Sequence, residues 1–242
     1  MSITTPKSFD EITYPFDERP ARGKLQAVAP GVYWLAMPMS GSLAYINLYL
    51  LEDHDSWWIV DTGLANAETS AVWEEVFTNE LGGKPVVGVI CTHMHPDHIG
   101  QAKDITDRFR CPLYMTQSEY YQARTFANGG GNSRSGWIGE RFYTQAGMPK
   151  DYLQQLAKMW ESRESEGMSM PTMVQGYERL HDGQILRIGD TDWQIIVGSG
   201  HSPEHACLYS SALKVLISGD QILPIITSNV SVHPTEPNAN PL

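Results

Sequence analysis

Apolar and polar positions begin to alternate regularly at Gly31, where GVYWLAMP, SLAYINLYLLE and DSWWIVDTG follow one another, rich in aromatic and branched residues and separated by Gly, Ser and Asp. Such runs predict an antiparallel meander. In AETSAVWEEVFTNEL the apolar positions recur at three- and four-residue spacing, the period of an amphipathic helix. KPVVGVICT is a continuous apolar run with polar boundaries, as expected of a central strand covered on both faces. IGQAKDITDRFR then predicts a helix and CPLYMT a short strand, so strand and helix alternate and the fold class is α/β.

Residues 118–175 interrupt this pattern. They are long and polar, carry Met159, Met168, Met170 and Met173, and include the flexible NGGGNSRSG and the helix-forming KDYLQQLAKMWES. They read as a helical insertion, either a surface excursion or a lid over a site. The Gly-rich piece lacks the Gly-Lys-Ser/Thr ending of a phosphate loop. Arg124, Arg134 and Arg141 are candidates to pair with a substrate carboxylate, although solvated arginines are commoner. RLHDGQILRIGDTDWQIIVGSG and ACLYSSALKVLISGD return to strands. Residues 1–30 read as an exposed N-terminal arm, without the apolar core of a signal peptide and with aromatics that offer a homodimer contact; residues 31–242 read as one domain.

At 242 residues and 41% hydrophobic the chain can bury a sizeable core. Its net charge of −11 argues against a nucleic-acid partner and for a small-molecule substrate. SLAYINLYLL, the longest apolar stretch near the N-terminus, is too short to span a membrane. Cys91, Cys111 and Cys207 form no disulfide or zinc-finger pattern, which points to the reducing cytoplasm.

Candidate chemistry gathers in VICTHMHPDHIGQA. Alternate side chains of an extended segment point the same way, so His93, His95 and Asp97 are expected to converge while His98 leans elsewhere, which makes two metal positions. Pro96 turns the chain, and Gly100 lets the next helix begin close by. His201 in IIVGSGHSPEH, Asp220 in VLISGD and Asp61 in WWIVDTG each follow an apolar strand as well. Open α/β sheets collect their sites at such strand ends. Asp61 reads as a carboxylate that orients a ligand histidine through its other ring nitrogen, or as a turn residue before Gly63.

THMHPDH, with IVDTG, GHSPEH and SGD in that order, resembles the signature of the metallo-β-lactamase superfamily, and of its hydroxyacylglutathione-hydrolase-like metallo-hydrolases in particular. The resemblance runs from Gly31 to Asp220, with the insertion unmatched. It implies a four-layer αβ/βα sandwich and a binuclear site, commonly zinc, with iron or manganese as alternatives. It also implies that His93, His95 and His201 hold one metal and Asp97, His98 and Asp220 the other, with Asp220 bridging and Asp97 and Asp220 sharing in catalysis. His205 resembles a supporting or packing residue, and His54, His181 and His233 read as loop histidines. The family places a further histidine after Asp220, beyond a helix and a strand, where this sequence has the proline-rich VHPTEPNANPL. A short second half of the sandwich is therefore expected. The native polypeptide is expected to run on past Leu242 and supply that histidine, unless another residue such as His233 completes the site.

Water bound to such a metal acidifies from a pKa of about 15.7 to roughly 7, giving hydroxide at neutral pH. The expected function is a metal-dependent hydrolase that uses this hydroxide to cleave a small-molecule ester, thioester, lactone or amide. The alternatives are iron-dependent oxidation of a thiol or persulfide and a non-catalytic scaffold. Cys91 and Cys207 sit in apolar strand contexts and are expected to pack rather than react.

Overall fold

The computed structural model describes residues 13–39, 43–128, 136–149, 151–155, 158–159, 171–223 and 226–241. Its first strand lies inside the segment expected to be an arm: β1 (Gln26–Ala29) pairs antiparallel with β2 (Val32–Pro38). An edge strand with one neighbour and half-buried side chains carries no clean alternation, which hid it in the sequence. β2 continues antiparallel into β3 (Tyr45–Asp53) and β4 (Ser56–Val60), the meander that the alternation predicts. From β4 the sheet becomes parallel through β5 (Val86–Ile90), β6 (Leu113–Met115) and β7 (Glu178–Arg179), so β4, β5 and β6 all end at one edge.

The period of two sorts these strands into two cores. Leu35, Leu48, Leu50, Ile59 and Val89 point to one face, against Val72, Trp73 and Val76 of α1 (Ala67–Asn79) and Ile105 of α3 (Ala102–Phe109). Asn66 starts α1 by accepting the Thr69 N–H at 2.8 Å. Arg22 and Lys24, just before β1, pair with Glu68, Glu75 and Glu80 along this helix. Val32, Leu51, Val60 and Ile90 point the other way, against Trp193, Ile195, Ala206, Leu208 and Ile217 of a second sheet. That sheet is antiparallel, with β8 (Ile185–Ile188), β9 (Thr191–Gly198), β10 (His205–Ser210) and β11 (Val215–Ile217) in the order β11-β10-β9-β8. Its outer face exposes Ile185, Gln194, Ile196 and Leu216. The described residues thus form helices, a seven-stranded sheet and a four-stranded sheet, with no helical layer over that outer face.

The segment expected to be an insertion packs partly into the core, through Tyr120, Ala123 and Met173. Its first helix, α4 (Gln117–Ala127), buries Glu119, Tyr120 and Ala123. The Tyr120 hydroxyl donates to the Val174 carbonyl at 2.8 Å, and its ring stacks on Tyr177 at 3.9 Å. Arg124 lies over the Tyr120 ring, whereas Arg141, on α5 (Trp137–Gln145), is exposed. Residues 151–155 are helical, as KDYLQQLAKMWES predicts. Most of NGGGNSRSG, with Arg134, and also Met168 and Met170 lie outside the described residues. In the arm, Phe16 packs against Trp34 of the same chain at 6.0 Å. All three cysteines are free, and among the described residues no helix is long and apolar enough to cross a membrane.

Candidate metal centre

Every candidate ligand reaches one edge of the two sheets. β5 delivers His93 and His95, β9 delivers His201, and Asp220 sits in a single 3-10 turn, Gly219–Gln221, after β11. Because β9 and β11 both run antiparallel to β10, they end where β10 begins with His205. The Ala206 N–H donates to the Thr92 carbonyl at 2.8 Å and joins the two sheets at this edge.

Two ligand sets result. His93 Nε2, His95 Nδ1 and His201 Nε2 form a triangle with sides of 2.9, 2.9 and 3.2 Å, and Asp220 Oδ2 lies 3.5 Å from His201 Nε2. His98 Nε2 faces Asp220 Oδ1 at 3.4 Å and Asp97 Oδ2 at 3.7 Å, so the two oxygens of Asp220 address different sets. The extended-strand expectation placed Asp97 with His93 and His95, and this is corrected. Pro96 begins a helical turn, α2 (Pro96–Ile99), which carries Asp97 and His98 together to the second set.

The hydrogen-bond network assigns the imidazole protons. Asp61, at φ 63°, accepts the Thr92 N–H on Oδ1 at 2.7 Å and, on Oδ2, the Thr92 hydroxyl and His98 Nδ1–H at 2.8 Å each. With its proton given to Asp61, the Thr92 hydroxyl accepts from His93 Nδ1–H at 3.0 Å. His201 Nδ1–H donates to the Asn229 carbonyl at 2.9 Å. In the neutral rings, lone pairs therefore remain on Nε2 of His93, His98 and His201. Those of His93 and His201 face each other at 3.2 Å, and His98 Nε2 is buried without a hydrogen bond beside two carboxylates. Lone pairs and anions turned on one another fit cations between them. Nitrogens on one tetrahedral zinc stand about 3.3 Å apart, close to the triangle found. Imidazole and carboxylate together suit zinc, iron or manganese.

The protonation equilibria follow burial and charge. Burial takes His93 well below the usual range, His95 down to about 3, and His201 down as well. Burial opposes a charge on His98 too, but Asp61, Asp97 and Asp220 outweigh it and hold the ring well above its usual range. Burial raises Asp97. It also opposes ionisation of Asp220, but the close approach and charge of His98, with the charges of His201 and His95, bring Asp220 down to about 2. Burial lifts Cys91 well up and Cys207 to about 11, so neither offers a thiolate at neutral pH.

His205 is fully buried, and its Nε2 accepts the Asp220 N–H at 3.1 Å, which holds the shared aspartate by its backbone. A Cβ on Gly219, at φ 49°, would come within 2.7 Å of this nitrogen, so only glycine fits between Ser218 and Asp220. The tail also supports the site, with Ser228 Oγ donating to the Asp220 carbonyl at 2.6 Å.

Residues 42–240 match the sequence model of the metallo-beta-lactamase superfamily. The chain belongs to this superfamily. It is similar to the beta-lactamase domain protein of Burkholderia ambifaria, with a TM-score of 0.77 and 39% identity over 94% of this chain and 66% of that one. A metallo-beta-lactamase family protein of Thermus thermophilus aligns at a TM-score of 0.70 and 24% identity, over 87% of this chain and 65% of its own. The acyl-coenzyme A thioesterase MBLAC2 of Bos taurus is 22% identical over 205 residues, which are 81% of this chain and 65% of the relative. The chain thus spans just under two-thirds of the length of each.

Within the superfamily signature, the motif spacing marks the candidate ligand types but not what orients them. Thr92, inside THMHPDH, was legible in principle as a hydroxyl beside a ligand histidine. The Asn229 carbonyl and Glu119, which accepts the N–H groups of Met94 and Glu204, carry no local signal.

Proposed function

We propose that this chain carries the metal centre of a hydrolase that cleaves a small-molecule thioester, ester, lactone or amide. The observation that supports this best is the sharing of Asp220 between two adjoining ligand sets whose lone pairs face inward. In this reading His93, His95 and His201 hold one ion and Asp97, His98 and Asp220 the other, zinc in both. When bound, the metal pair supplies water acidified to near neutrality and a Lewis-acid pull on the substrate's carbonyl oxygen. Asp97 and Asp220 contribute the negative charge that retains the cations and orients that water. Asp61, through Thr92 and His98, keeps the imidazole lone pairs turned inward. The insertion starts beside the ligand loops and shapes the entrance. The acidic surface, at −11 overall, favours small acyl compounds over polyanions. The similarity to MBLAC2, an acyl-coenzyme A thioesterase, puts thioesters first among the acyl compounds to try, with small thioesters ahead of the polyanionic coenzyme A esters.

The test combines elemental analysis with a panel of thioester, lactone, ester, amide and phosphodiester substrates, using protein loaded with zinc, manganese or iron. Acyl turnover that is lost in Asp97→Ala is the expected result. Protein without bound transition metal, a phosphodiester turned over with far higher kcat/KM than any acyl compound, or oxygen uptake on thiols without hydrolysis would each overturn the reading.

A further inference from the structure

Glu119 belongs to neither ligand set, yet it is completely buried in the first turn of α4. Its Oε2 accepts the N–H of Met94 at 2.9 Å, and Met94 is the residue between His93 and His95. Its Oε1 accepts the N–H of Glu204 at 2.8 Å, immediately before His205 and three residues after His201. The two loops extend from different sheets, and the first turn of α4 touches both. The Thr116 hydroxyl donates to the Glu204 carbonyl at 2.6 Å, and the Ser118 N–H donates to the Glu204 carboxylate at 2.6 Å.

We propose that Glu119 is a positioning residue for the metal centre: its single carboxylate sets the spacing between the His93–His95 loop and the His201–His205 loop. The donor pattern explains why an acid stands here. Both partners are N–H groups, so both oxygens must accept, and a glutamine would turn its own NH2 towards one of them. An aspartate is one methylene short of spanning both loops. A buried carboxylate is costly unless its oxygens are hydrogen-bonded, and bonds to an ionised oxygen are the stronger kind. The Ala206 N–H to Thr92 carbonyl bond ties the two sheets two residues away from each of these N–H groups, and Glu119 adds the contact that fixes the register of the two loops themselves. The register matters because the three nitrogens it brings together lie within 3.2 Å of one another, and a working site tolerates displacements of only about 0.5 Å.

The inference rests on the metal-centre reading, and the experiment separates the two. Zinc affinity by chelator competition and the visible spectrum of the cobalt-substituted protein are measured for wild type, Glu119→Gln, Glu119→Asp and Thr106→Val. The last removes a buried hydroxyl that bonds within α3, away from the site, and reports the effect of general destabilisation. Glu119→Gln is expected to weaken zinc binding roughly 10- to 100-fold, the range seen when a group behind a metal ligand is removed, and to shift the cobalt ligand-field bands. Glu119→Asp, one methylene too short to reach both loops, should weaken binding as well, while Thr106→Val should leave both readouts unchanged. A Glu119→Gln protein that melts earlier yet keeps wild-type affinity and spectrum would overturn the proposal and leave the metal centre standing. A wild type that binds neither zinc nor cobalt would overturn both. If Glu119→Gln does not fold, Thr116→Val, which removes one bond from α4 to the second loop, must weaken zinc binding in the same direction; unchanged affinity would overturn the proposal.

Discussion

Replacing Asp61 by asparagine tests the internal logic of the centre without touching a ligand. Asp61 accepts three hydrogen bonds, from the Thr92 N–H on Oδ1 and from the Thr92 hydroxyl and His98 Nδ1–H on Oδ2. An amide offers one accepting oxygen. If that oxygen keeps the Thr92 N–H, the NH2 group faces His98 Nδ1, and the neutral ring that a metal requires must then carry its proton on Nε2, towards Asp97 and Asp220, where the proposed second metal needs a lone pair. Asparagine tolerates the left-handed backbone at φ 63°, so the change is electrostatic rather than conformational. Losing one charge-assisted hydrogen bond costs about 1.5–3 kcal/mol. For a domain of this size that lowers the Tm of the metal-free protein by about 3–12 °C, at about 2–4 °C per kcal/mol. Affinity for the second metal equivalent should fall roughly 10- to 100-fold, with the first little changed. Thermal melts of metal-stripped protein followed by circular dichroism, together with zinc titration against a chelator, measure both. Two equivalents bound with wild-type affinity, in a variant melting within about 1 °C of wild type, would refute the tautomer argument.

Other consequences follow from the same geometry. Gly219→Ala places a methyl group against the His205 ring and strains a left-handed backbone at about 1–2 kcal/mol; metal affinity should drop at least about tenfold, measured by the same titration. Acidification should empty the centre in two stages, followed by metal content after dialysis. The carboxylates that raise His98 leave it holding a proton near neutrality in the metal-free protein, so metal entering the Asp97–His98–Asp220 set must expel it, and affinity there falls about tenfold per unit as pH drops. His93, His95 and His201 are shifted down and already neutral, so their set should keep its metal to lower pH; simultaneous loss of both would contradict this. Trp193→Ala empties the core between the sheets, where the ring is 1% exposed, and should cost about 3–5 kcal/mol in chemical denaturation.

Periodicity made the strands from Val32 to Val60 and the buried β5 legible, because side chains on a pleated strand must alternate between a core and its surroundings. β1 escaped because an edge strand with one neighbour imposes little pattern. The candidate ligand types were legible for a similar reason. His93, His201 and Asp220 follow the end of an apolar strand by three residues, and His95, Asp97 and His98 come soon after on the same loop and turn, so local spacing delivers them to one edge. Their partition turns on a local break in the strand pattern. Pro96 trades the extended backbone for a helical turn, and that geometry moves Asp97 from the first set to the second. The protons and spacing depend on contacts between distant segments: Asp61 with Thr92 and His98, His201 with the Asn229 carbonyl, and Glu119 with Met94 and Glu204. Hydrogen bonds of that kind exist only once the two sheets have packed, because a side chain's partner across a fold is set by the path of the chain and not by its neighbours in sequence.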